Sequence, residues 1–149
     1  MFGFKKKNYL KRTDFINSID SNKIWSKTMT IDETKLLLEQ LENELSKYDF
    51  DEDKNFIMNA RRKVLKDNII GRLNKPDIVI EDILESLFNF WEFVQDEYSG
   101  DLILISKELN KPVQDLVHMD KAYREKGIIC LQEKNIILEM IQLIKKTFG

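Results

Sequence analysis

"ISKELNKPVQDLVHMDKAYREKGII", residues 105–129, is the stretch whose reading decides the fold. Ile105 and Leu109 stand four apart. Leu116, Met119 and Tyr123 follow at three and four, and Asn110-Lys111-Pro112 separates the two sets. Residues at these intervals share one helix face, so the spacing predicts a short helix, a sharp turn and a second helix closing on one small core. Pro112 suits the first turn of the second helix, where a missing amide hydrogen costs nothing, and Asp115 complements that turn's dipole. Gly127 predicts a carboxyl-terminal stop.

Downstream, Ile128-Ile129-Cys130-Leu131-Gln132 and Asn135-Ile136-Ile137-Leu138 flank Glu133-Lys134, a β-branched pattern with a polar break that predicts a short hairpin. Met140, Ile141, Ile144 and Phe148 then predict a last amphipathic helix. Upstream, Thr30-Ile31-Asp32-Glu33 reads as a capping box opening a helix over about 31–48, with Leu38, Leu41, Leu45 and Tyr48 on its buried face. The acidic turn Asp49 to Asp53 precedes a helix running to about Leu73, with Phe56, Ile57, Ala60, Val64 and Leu73 inward. Pro76 ends it. A third long helix over about 78–98 carries Ile80, Ile83, Leu84, Leu87, Phe88, Trp91 and Val94 as one stripe, with Phe90 and Phe93 off it. Two apolar faces imply two partners for this helix.

The order helix, turn, helix, glycine, hairpin, helix resembles a winged helix-turn-helix domain of the MarR-like kind. Ile105, Ser106 and Leu109 match the first motif helix of that family, Leu116 and Tyr123 the inward positions of its recognition helix, and Glu125 to Ile129 its approach to the wing. Asn110 replaces the usual turn glycine, Lys111 stands where an apolar residue is usual, and the wing has one lysine, Lys134. The resemblance implies double-stranded DNA as partner, bound by a homodimer. Val113, Gln114, Val117 and His118 would face base edges, and Lys121, Arg124 and Lys134 would face phosphate.

The expected fold is therefore mainly α. It has a basic, partly disordered segment over 1–29, a helical hairpin over 30–76 and a winged helix-turn-helix domain over 77–149. A dimer interface is expected from Leu38, Leu41 and Leu45 together with Phe90 and Phe93.

Charge frames the function. The 149 residues net only −2, yet residues 31–53 hold nine carboxylates against two lysines, and residues 54–75 hold seven cations against one carboxylate. An antiparallel hairpin would set the acidic helix beside Arg61-Arg62-Lys63 and Lys66. Residues 102–127 carry five cations and four carboxylates, little for a polyanion. The second reading is a non-enzymatic interaction module, an inhibitor, immunity or assembly factor, that shows an acidic and aromatic surface to a basic protein. Lone His118 and single Cys130 supply no metal site, nothing pairs a nucleophile with a base, and no cofactor motif is present, so an enzyme is not expected. No apolar run is long enough to span a membrane, and a reducing, cytoplasmic setting fits the single cysteine.

Overall fold

The computed structural model describes residues 6–54, 58–95 and 102–148. The expectations for Phe56 and Ile57, for the side chains of Ala60 and Arg61, and for residues 96–98 lie outside the described residues. The elements are α1 (Arg12–Asn17), α2 (Asn22–Ser26), α3 (Ile31–Leu45), α4 (Met58–Leu73), α5 (Ile80–Val94), α6 (Leu102–Leu109), α7 (Val113–Lys126) and α8 (Leu131–Lys145), with a closing 3-10 turn over Lys146–Phe148. The protein is mainly helical, as expected.

Local signals placed several ends correctly. Glu33 N–H donates to the Thr30 hydroxyl at 3.1 Å and Thr30 N–H to the Glu33 carboxylate at 3.3 Å, which is the capping box that starts α3. Gly127 closes α7 in the left-handed region at φ 64°.

The wing is corrected. Residues 131–138 are the first half of α8, because Ile136, Ile137, Met140, Ile141 and Ile144 recur at helical spacing and are all buried. Ile128 and Ile129 stay extended, but they pair with the amino-terminal segment. Arg12 N–H donates to the Gly127 carbonyl at 2.8 Å, and Ile129 N–H to the Leu10 carbonyl at 3.0 Å. The β-branched pair thus makes an isolated bridge and no hairpin.

The segment expected as a partly disordered tail is folded from residue 6 onward. Leu10, Phe15, Ile24 and Met29 belong to the same buried cluster as α3, α4, α5 and α8, so the chain across Pro76 shares one core. α8 lies in the middle of it, packing on α3, α4 and α5. The expected hairpin of α3 on α4 gives way to this arrangement, and α4 buries Leu65 and Ile69 where Val64 had been expected. α5 has its partners within the chain: it packs on α4, on α8 and on α2, where Trp25 meets Phe88 edge-on at 5.1 Å.

The dimer face is corrected too. Leu38, Leu41, Leu45, Phe90 and Phe93 are all core residues, at most 2% exposed, with nothing to offer a second copy.

Candidate functional site

α6 and α7 form a helix-turn-helix with a small centre of its own, in which buried Ile105 and Leu116 are flanked by Leu102 and Met119. The turn is built by Asn110, Lys111 and Pro112 and held by Ser106 of α6. Asn110 takes φ 51°, a left-handed conformation that asparagine tolerates better than most side chains. Lys111 N–H donates to the Ser106 carbonyl at 3.2 Å, and the Ser106 hydroxyl donates to the Lys111 carbonyl at 2.6 Å. Pro112 then sits at the cap of α7, with Asp115 in the first turn.

The geometry turns Val113, Gln114, Val117, His118 and Lys121 outward on α7, the face that the resemblance assigns to a ligand. The rest of the expected set is dispersed. Arg124 is half-buried and pairs with Asp120 at 2.9 Å. Lys134 lies on α8 with its ammonium 4.8 Å from the Phe50 ring, because the wing that would have carried it is helix. Part of the basic block is paired within the chain: Arg62 and Lys66 share Glu139 at 2.5 and 3.0 Å, and Lys63 holds Glu108 of α6 at 2.6 Å. Its carboxylate partners come from α8 and α6, not from α3.

Apolar exposure concentrates here. Among the described residues the exposed large hydrophobic side chains are eight, and five of them are Ile103, Leu104, Leu109, Val113 and Val117. Leu109, expected inside, is 40% exposed. Scattered apolar side chains on a surface are ordinary, and here they concentrate on one pair of helices.

Behind α7 lies a polar cluster that the sequence reading missed. The Arg12 guanidinium grips Glu133 with both arms, at 2.5 and 2.7 Å, and also donates to the Val94 carbonyl at 2.9 Å and the Tyr123 hydroxyl at 3.2 Å. Tyr123 donates to Glu133 in turn and accepts from Cys130 N–H at 3.2 Å. Glu133 is fully buried. Burial first, and the adjacent Glu133 charge second, push the Tyr123 hydroxyl far above the usual phenol range, so it remains a donor. The cluster ties α1, α5, α7 and α8 at one point and fixes how the helix-turn-helix is held. The signal was available: Glu133 falls three and four residues before Ile136 and Ile137, on the apolar face of α8, where a carboxylate demands a buried cation.

A cleft of about 480 Å³ opens beside the cluster, with Cys130, Ile129 and Tyr123 in its wall and Tyr9, Asp51 and Asp53 at its edge. Two of its three carboxylates are occupied, Asp51 by Lys7 and Tyr9 at 2.7 and 2.5 Å and Asp53 by Lys126 at 2.7 Å; Glu52 is the third. Burial raises the Cys130 thiol above its ordinary range, which makes it a poor nucleophile. Among the described residues no group of His, Cys, Asp and Glu is arranged to hold a metal ion, and no helix is long and apolar enough to cross a membrane.

Comparison with family models, with curated proteins and with solved structures finds no match to this chain.

Proposed function

We propose that this chain is a non-enzymatic protein-interaction module that docks a partner on the outer face of α6 and α7. The observation that carries the reading is the concentration of Ile103, Leu104, Leu109, Val113 and Val117 in solvent on two adjacent helices. Charge supports it. The neighbouring Arg62, Lys63, Lys66, Arg124 and Lys126 all hold carboxylates of this chain. Among the described residues, Lys107, Lys111 and Lys121 are the cations left around the apolar residues. A duplex binder typically neutralises roughly 6–10 phosphates, more than these three lysines supply. The partner fitted to this surface is apolar and acidic, where the aromatic surface for a basic partner is lost with the burial of Phe90 and Phe93.

Duplex DNA is the second reading. It is supported by the outward stripe of Gln114, Val117, His118 and Lys121, side-chain types that pair with base edges and methyl groups. Two measurements separate the readings. The first titrates the protein with a random-sequence duplex library from low to physiological salt, beside Lys121→Glu. The second places a photo-crosslinking side chain at position 117 in the full chain. Docking predicts protein adducts that disappear with Ile103→Asp, together with DNA binding that is weak, unselective and gone at physiological salt. Saturable, sequence-enriched duplex binding that survives physiological salt and is lost in Lys121→Glu overturns docking in favour of DNA.

A further inference from the structure

The chain carries a second surface whose chemistry complements the first. Between α2 and α3 lies a hollow of about 220 Å³ lined by Met29, Leu36 and Leu37, with Asp20, Gln40 and the ion-paired Lys23 and Glu33 also in its wall. Leu36 is 56% exposed. Asp32, Leu36 and Glu39 follow one another at four and three residues, so the two carboxylates flank Leu36 along the crest of α3. Both are exposed and neither is in an ion pair among the described residues; Lys35, three and four residues from them, holds its ammonium 5.4 Å from the Phe148 ring.

The α6–α7 surface is its opposite in charge and its match in apolar character. Val113, Val117 and Lys121 recur at intervals of four and form a ridge on α7. Asp115, two residues from Val113 and from Val117, is turned some 200° around the helix from each. Lys107 projects from α6 four residues after Ile103, on the same side of that helix. Of the exposed large apolar side chains among the described residues, all but Val79 fall on α3 or on the α6–α7 unit.

We infer that the α6–α7 ridge of one copy seats in the α2–α3 hollow of a second copy, with Lys107 and Lys121 against Asp32 and Glu39. This rests on the reading of α6–α7 as a docking surface and names its occupant as another molecule of the same chain. The two faces are different patches of one molecule, so the contact is head-to-tail and generates rings or open chains of subunits. A symmetric contact of ridge on ridge would oppose lysine to lysine, which charge disfavours. The ion pairs are solvent-exposed, so association weakens as salt rises.

Sedimentation velocity of the full chain over a range of protein and salt concentrations tests this. Two charge-reversed variants stand beside it, Lys107→Glu/Lys121→Glu and Asp32→Lys/Glu39→Lys, with circular dichroism to verify that each is folded. The wild type should grow beyond a dimer as its concentration rises, less so in high salt. Each variant alone should associate about ten-fold more weakly or not at all. An equimolar mixture of the two should associate again, since each ridge then finds a hollow of opposite sign. A wild type that stays monomeric throughout overturns the inference, as do variants that associate like the wild type or fail to recover on mixing. In those cases docking itself still stands or falls on the adducts at position 117. An absence of protein adducts there, together with selective duplex binding, removes both readings at once.

Discussion

Arg12 and Glu133 lie 121 positions apart in sequence and meet in the interior, where neither charge has water to stabilise it. Removing one partner leaves the other buried and uncompensated, a loss of about 3–5 kcal/mol in comparable pairs, whereas replacing both by apolar groups is far milder. Arg12→Met is therefore expected to lower stability by roughly that amount in urea unfolding, and Arg12→Met/Glu133→Leu to recover a large part of it. The readout is the coupling in the double-mutant cycle; a coupling near zero would show that the pair does not act as a unit. Long-range partnership is also what a single sequence conceals. Thr30 with Glu33, Asn110 and Gly127 were legible because each acts within a few residues of itself. Glu133 announced an anomaly on its helix face without naming Arg12.

At the scale of elements, the same residues supported two local readings and packing chose between them. Ile128-Ile129 and Ile136-Ile137 are as fit for strands as for buried helix, and the polar Glu133-Lys134 between them resembled a turn. The spacing of Ile137, Met140, Ile141 and Ile144 continued without a break into α8, and that longer period prevailed. α8 then became the central helix, so the α4 cations found Glu139 on it. The Arg62 guanidinium, through its hydrogen bonds first, holds the Glu139 carboxyl below the usual carboxylate range. A lowered acid stabilises the fold above the pH at which the unfolded group ionises, about 4.3, and that contribution is lost as pH falls through the lower folded value. Glu139→Gln should therefore be less stable than the wild type at neutral pH, by about 1 kcal/mol or less for so accessible a pair. The two chains should converge on acidification below about pH 4. Thermal unfolding at stepped pH reads this directly, and a gap that widened toward acid would contradict the sign.

Taken as a whole, the molecule divides its apolar residues unequally. One cluster runs from Leu10 to Ile144 and includes Phe15, Leu38, Leu87, Trp91 and Ile137, while the helix-turn-helix keeps only Ile105 and Leu116 fully buried for itself. The sequence made the helix-turn-helix legible because its contacts are local; it hid the shared core, because residues 8–29 contribute single apolar side chains without a long periodic run. A unit with so small a centre opens at lower free energy than its host. Native-state hydrogen exchange should show the amides of Leu102–Lys126 exchanging through a local opening, ahead of those in α3, α5 and α8. Leu116→Ala removes half of the small centre, and large-to-small core changes cost about 2–5 kcal/mol. It should accelerate exchange in α6 and α7 and leave the α8 amides almost unchanged, whereas Ile137→Ala should lower protection everywhere. Equal loss across all helices in Leu116→Ala would mean that Arg12, Tyr123 and Glu133, with the Lys63–Glu108 pair, couple the two parts into one cooperative unit. A docking surface on the less stable part is mechanically apt, since α6 and α7 can adjust to an occupant while α8 and its neighbours hold their packing.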